Sequence, residues 1–173
     1  LLDLKADEDI KANGIILESK IDIGRGPIAT VIITTGSLKK GDYFISGKNW
    51  GKARALINDK GENIDKATPA TPVELLGMNK VAKAGDDFIV VENESIARTI
   101  AQHRKEKALQ KKNTINKTNV EQMFEQISQG KVATLPVVIK ADVHGSAEAI
   151  DGSIIKLSTD EVKTQVLFKG VGA

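Results

Sequence analysis

Basic residues and two large aromatic residues lie close together between residues 25 and 54. The basic residues are Arg25, Lys39, Lys40, Lys48, Lys52 and Arg54, and the aromatic ones are Tyr43 and Trp50. Lysine and arginine neutralise nucleic-acid phosphates, and aromatic rings stack on bases. The stretch therefore points toward RNA. Ordinary solvated turns, with the tryptophan buried in the fold, would account for the same residues, and the residues alone leave both interpretations open.

A second group of chemically active side chains is Asp142, His144 and Ser146, which we interpret as one loop together with Gly145. Residues two apart in a loop do not make a catalytic triad, because the base must be oriented by a third group from elsewhere. A loop at the carboxyl end of a parallel strand is a usual place for binding in α/β folds. We therefore predict an interdomain or ligand contact here, and no catalysis.

Nucleotide and metal sites are not indicated by the sequence. The nearest approach to the P-loop pattern G-x-x-x-x-G-K-[ST] is the segment 47–53, which is one residue short and ends in alanine. There is no cysteine, and neither His103 nor His144 has companions at ligand spacing, so no metal site is predicted. We predict that this chain is not an enzyme by itself.

The composition is that of a soluble globular protein, with 40% hydrophobic and 28% charged residues among 173. No apolar run approaches the roughly 20 residues that span a bilayer. The net charge of +2 is unevenly distributed, because residues 94–119 hold seven basic and two acidic residues. The positive charge thus lies between two nearly neutral units.

The first unit is predicted to be a small antiparallel β-barrel over residues 12–93, after an end of an upstream domain or a linker at residues 1–11. Short β-branched segments alternate there with Gly, Pro and Asp turns, and closure removes exposed strand edges. Ile28–Thr35 and Tyr43–Ser46 are predicted to form a long hairpin across the turn at residues 36–42. In the segment 50–57, Lys52 and Arg54 are predicted to share one face, with Ala53, Ala55 and Ile57 on the other.

A connecting helix and linker are predicted over residues 94–118, followed by an α/β domain over residues 119–173. Asn93 is placed to cap the helix that starts at Glu94. A second helix is predicted from Asn119 to Gly130, and then a strand at residues 135–141. Ser146 is expected to cap a helix over residues 147–157, and a parallel strand should follow at residues 162–168. Two strands are too few for an independent parallel sheet, so we expect this domain to be incomplete.

Several segments resemble one protein family. The hairpin residues 24–31 (GRGPIATV) and 36–42 (GSLKKGD) look like the second-domain β-barrel of translational GTPases. More specific segments resemble bacterial translation initiation factor two; they are 50–56 (WGKARAL), 71–77 (TPVELLG), 84–91 (AGDDFIVV), 139–150 (IKADVHGSAEAI) and 157–163 (LSTDEVK). The sequence departs from the family at His144, where glutamine is expected, and at Trp50, where a smaller or tyrosine-like residue is usual.

The resemblance implies a docking role. The GTP-binding domain, with its GTP and magnesium, would lie upstream, and the initiator-tRNA-binding domain downstream, so no cofactor is expected in this chain. The barrel would rest on small-subunit ribosomal RNA, and the α/β domain would help relay the GTP state toward the tRNA-binding end. We hypothesise that the phosphate contacts come from Arg25, Lys39, Lys40, Lys52 and Arg54.

An alternative interpretation is a protein-interaction barrel that packs on a GTPase domain without touching RNA. A cytoplasmic location is implied, with a mitochondrial version left open, and no membrane is expected as a partner.

Overall fold

The computed structural model describes residues 5–110, 133–159 and 161–172, and its first part is a closed barrel of six antiparallel strands. The barrel strands are β1 (Asn13–Asp22), β2 (Gly26–Thr35), β4 (Tyr43–Ser46), β5 (Asn49–Ile57), β8 (Pro72–Met78) and β9 (Asp87–Val91). The shorter strands are β3 (Leu38–Lys39), β6 (Asn63–Ile64) and β7 (Lys66–Ala67). The order around the barrel is β4-β9-β1-β2-β8-β5, and pairing of β4 with β5 closes it. This confirms the predicted barrel.

The barrel interior is filled by the inward-facing apolar side chains of these strands. Phe44 and Phe88 lie at its centre with their ring centroids 5.0 Å apart, and both are fully buried. Ile16, Val31 and Leu75 come from three further strands and are equally inaccessible to solvent. Such a closed, packed core leaves the outward-facing side chains on a rigid surface.

The predicted long hairpin between β2 and β4 is wrong. β2 pairs with β1 and β8, whereas β4 pairs with β5 and β9, so the two strands do not touch as neighbours. The segment between them forms β3, which pairs with β7. The chain therefore crosses to another part of the barrel instead of folding back on β2. The hairpin that β2 does form is with β1, across the turn at residues 23–25.

The predicted faces of β5 are correct at its start and wrong at its end. Lys52 and Arg54 are exposed and Ala53 is buried, as expected. Beyond Arg54 the fully buried residue is Leu56, while Ala55 and Ile57 are half-buried. The pairing with β8 shifts register between Gly51 and Ala55, and this irregularity moves the alternation by one residue.

The helix α1 occupies residues 94–110 of the described chain and lies against the barrel. The Asn93 side-chain oxygen accepts a hydrogen bond from the Ile96 N–H at 2.9 Å, which confirms the predicted cap. Ala97 and Ala101 of this helix are buried. The Arg104 guanidinium donates to the Gly47 carbonyl oxygen at 3.0 Å, which ties the helix to the turn between β4 and β5. The linker predicted over residues 112–118 and the helix predicted from Asn119 to Gly130 lie outside the described residues.

The last part is the predicted strand–helix–strand unit, formed by β10 (Ala133–Ala141), α2 (His144–Lys156) and β11 (Val162–Val171). β10 and β11 are parallel, as predicted. The predicted start of the helix is wrong. Val143 is the N-cap residue, in an extended conformation and without a side-chain hydrogen bond, so His144, Gly145 and Ser146 belong to the first turn of α2. Neither α1 nor α2, as far as the structure describes them, is long and apolar enough to cross a membrane.

Candidate nucleic-acid interface

Four of the five predicted phosphate-binding residues are brought together by one backbone contact. The turn that carries Lys39 and Lys40 lies beside β5, because the Gly41 N–H donates to the Ala53 carbonyl at 2.7 Å. The Ala53 N–H donates in return to the Asp42 carbonyl at 2.8 Å. The contact thus places Lys39 and Lys40 beside the strand that carries Lys52 and Arg54, and all four side chains are exposed. We call these four residues the barrel basic surface.

The members of the barrel basic surface differ in their surroundings. The Lys52 ammonium lies 5.1 Å from the centroid of the Tyr43 ring, a cation–π contact across neighbouring strands. Lys39 borders a cleft that also contains Glu8, Asp9 and Glu92, so its side chain has acidic neighbours. Lys40, Lys52 and Arg54 have no ion-pair partner in the described part of the chain. These three charges are the ones most available to a phosphate.

Arg25 lies apart from that surface, in the turn between β1 and β2, and is already engaged. Asp22 Oδ1 accepts hydrogen bonds from the N–H groups of Arg25 at 2.9 Å and Gly24 at 3.0 Å, and Asp22 Oδ2 lies 3.4 Å from the Arg25 guanidinium. The Arg25 N–H, followed by the Gly24 N–H, lowers the pKa of Asp22 below its ordinary value of 3.8. Arg25 is thus part of a local turn structure, and a role in RNA binding stays a prediction.

A cleft of about 890 Å³ between α1 and the β4–β5 turn was not anticipated by sequence reasoning. Trp50 is half-buried on its wall, outside the barrel core, and the Arg98 guanidinium lies 4.9 Å from the centroid of its ring. The sequence carried a partial signal, since Lys48 and Trp50 stand out by type. It could not show that α1 returns to them, because that contact depends on the folded barrel.

The predicted interdomain loop is shorter than expected. Asp142 is exposed, and its Oδ1 accepts a hydrogen bond from the Val143 N–H at 2.9 Å. Val143 also forms an isolated β-bridge with Lys20 of β1. His144 lies within α2, where its Nδ1 has no hydrogen-bond partner in the described structure and lies 3.6 Å from Glu148 Oε1. Within residues 5–110, 133–159 and 161–172, no three His, Cys, Asp or Glu side chains are placed to hold a metal ion.

Comparison of this sequence with known proteins identifies its family. Residues 11–91 match the family model for elongation factor G domain 2, and residues 109–173 match the model for translation-initiation factor 2. Translation initiation factor IF-2 of Pelagibacter ubique is 50% identical over 172 residues, covering 99% of this chain. The chain belongs to the bacterial IF-2 family. IF-2 of Cereibacter sphaeroides is also 50% identical, over 175 residues and 100% of this chain.

The chain spans about a fifth of the length of these IF-2 relatives, 23% of the Pelagibacter protein and 21% of the Cereibacter protein. A solved structure, GDP-bound aIF5B from Aeropyrum pernix, is similar over 98% of this chain and 27% of that one, with 21% identity and a TM-score of 0.49. These 173 residues contain no P-loop sequence.

Proposed function

We propose that this segment docks an initiation factor on the RNA of the small ribosomal subunit through the barrel basic surface. The observation that carries the proposal is the backbone contact between Gly41 and Ala53, which gathers exposed cations from two chain segments on a rigid barrel. Three of them lack an ion-pair partner among the described residues, so phosphates would not have to displace one. Phosphate contacts of this kind give affinity that falls steeply with salt.

The segment itself would be non-catalytic. GTP and magnesium would be held by another domain of the whole protein, because these 173 residues contain no P-loop sequence. The initiator tRNA would be bound through yet another domain. The helix α1 and the strand–helix–strand unit would relay the GTP state toward the tRNA-binding domain. Ribosome binding would place the protein in the cytoplasm.

The second candidate function is a protein-interaction module that packs on a GTPase domain without RNA contact. The cleft beside Lys39 favours it, because Glu8, Asp9 and Glu92 there alternate with Lys11 and Lys66. Lys11 pairs with Glu92 at 3.2 Å and Lys66 with Glu8 at 3.7 Å. Mixed exposed charges of this kind fit a protein partner better than a polyanion.

The two candidates are distinguished by reversing Lys40, Lys52 and Arg54 to Glu in the intact protein. The control reverses Lys83, Lys107 and Lys163, which are exposed, lie off the barrel basic surface, and give the same charge change. Binding is measured to purified small ribosomal subunits and to the isolated GTPase domain. RNA docking predicts a loss on the order of 10- to 100-fold for the subunits, with the slope of log K against log salt reduced by about 2. Unchanged subunit binding would contradict RNA docking, and the second candidate predicts instead that reversing Lys11 and Lys66 to Glu weakens binding to the GTPase domain.

A further inference from the structure

We propose that the cleft between α1 and the β4–β5 turn is a second RNA site, which binds the phosphates of a looped or single-stranded segment. We call it the α1 cleft. Its walls include Lys48, Trp50, Lys80, Arg98, Gln102 and Lys105, and its volume is about 890 Å³. This inference rests on the proposed function, because it takes the partner to be ribosomal RNA. It adds a site separate from the barrel basic surface.

The walls of the α1 cleft are held in place before any ligand arrives. Trp50 and Asn79 are joined twice, since the Trp50 N–H donates to Asn79 Oδ1 at 3.3 Å and the Asn79 N–H donates to the Trp50 carbonyl at 3.2 Å. The Asn49 side-chain amide donates to the Val81 carbonyl at 2.9 Å. The Arg104–Gly47 hydrogen bond fixes the helix across from them. A preformed site loses less conformational entropy when it binds.

Three cations on three different elements surround the α1 cleft. Lys48 lies in the β4–β5 turn, Lys80 follows β8, and Lys105 lies on α1; all three are exposed and lack an ion-pair partner in the part of the chain that is described. The one acidic residue among the described wall residues is Glu106, whose Oε1 accepts a hydrogen bond from the Gln102 amide at 2.7 Å. The charge is therefore positive on balance and arranged around a concavity, which concentrates its field on a bound anion.

A flat stacking surface accompanies these charges. The Arg98 guanidinium covers one face of the Trp50 ring, and Glu94 Oε1 holds the same guanidinium at 2.7 Å. Unpaired RNA bases stack on aromatic rings and on arginine planes, whereas bases within a helix are not accessible in this way. The combination of separated cations with a stacked Arg–Trp pair therefore fits a looped or single-stranded RNA better than an acidic peptide.

The test reverses Lys48, Lys80 and Lys105 to Glu in the intact protein. The matched control reverses Lys83, Lys107 and Lys163: Lys83 lies in the same loop as Lys80, and Lys107 lies on α1 but outside the cleft. Binding is measured to small ribosomal subunits and to their protein-free RNA across a range of salt. We expect a loss on the order of 10-fold or more for both ligands, with the salt slope reduced by about 2, and little change in the control. A second triple variant changes the same three lysines to Gln and is checked for an unchanged unfolding midpoint. It should also lose affinity for both ligands, but by less than the Glu variant.

Other outcomes overturn the inference in distinguishable ways. If the cleft variant binds normally while the variant of Lys40, Lys52 and Arg54 is impaired, the α1 cleft is not an RNA site and the proposed function stands. If neither variant is impaired, the proposed function fails as well. If the cleft variant loses subunit binding but keeps its affinity for protein-free RNA, the partner at the cleft is a ribosomal protein.

Discussion

The protonation state of Asp22 affects the stability of the turn between β1 and β2. Its pKa is lowered by the N–H groups of Arg25 and Gly24, so its ionised form stabilises the β1–β2 turn. That contribution is present above its ordinary pKa of 3.8 and is lost as the pH falls through the lowered value. We expect Asp22→Asn to lose stability at pH 7 and to show a weaker dependence on pH below 4, measured by denaturant unfolding. An acid dependence equal to that of the unsubstituted chain would contradict this prediction.

Gly77 allows two strands to approach where the pairing of β5 with β8 is irregular. Its φ is +116°, and a methyl group added there would overlap the Lys52 carbonyl oxygen. Gly41 also has a positive φ, +97°, but a methyl group there would meet nothing within 4 Å. We expect Gly77→Ala to lower the free energy of unfolding by at least about 2 kcal/mol, and Gly41→Ala by about 1 kcal/mol. Equal losses for the two variants would show that the overlap is relieved by backbone movement.

The two helix starts show which residue-scale features can be predicted from sequence. The Asn93 cap was predictable because it joins residues three apart, and the structure contains its hydrogen bond to Ile96. The same rule applied to Ser146 was wrong, because the chain enters α2 directly after an extended Val143. Gly145 and Ser146 are exposed, so their N–H groups can bond to water and do not require a side-chain cap.

At the scale of elements, the contact between Arg98 and Trp50 is one of those that join α1 to the barrel. The guanidinium lies 4.9 Å from the ring centroid, and Trp50 is the one tryptophan in the sequence. A double-mutant cycle with Arg98→Ala and Trp50→Ala should give a coupling of about 0.5–1 kcal/mol in the free energy of unfolding. A control cycle of Arg98→Ala with Phe168→Ala on β11 should give no coupling. Zero coupling in the first cycle would mean that Ala97, Ala101 and the Arg104–Gly47 hydrogen bond hold the helix without help from this contact.

Strand partners were harder to predict than strands. The β-branched run of β2 and the short apolar run of β4 were recognisable, yet each pairs with strands other than the predicted one. Pairing is decided by closure of the whole barrel, and a sequence pattern with a period of two residues carries no information on it. The register shift in β5 could not be predicted either. It lies where Gly77 of β8 faces β5, and the sequence of β5 alone does not show which strand it faces.

At the scale of the whole molecule, the sequence predicted the barrel, the connecting helix and the strand–helix–strand unit, and its resemblance to initiation factor two is confirmed. The candidate sites were predicted less completely. Lys40 and Lys52 are gathered by the Gly41–Ala53 contact, and Trp50 meets Arg98 across 48 positions of sequence. Such groupings depend on tertiary structure. The sequence could therefore identify the candidate cations, but it could not show that Arg25 lies apart from the others or that the α1 cleft exists.

The most direct test of RNA docking is photo-crosslinking from the barrel basic surface. A photoreactive amino acid replaces Lys40 in the intact protein, and a matched variant carries it at Lys163, which is exposed on β11, away from the barrel basic surface and the α1 cleft. Both variants are bound to small ribosomal subunits and irradiated. We expect a crosslink from position 40 to the ribosomal RNA and none from position 163. Crosslinks from position 40 to protein alone, with subunit binding intact, would contradict it.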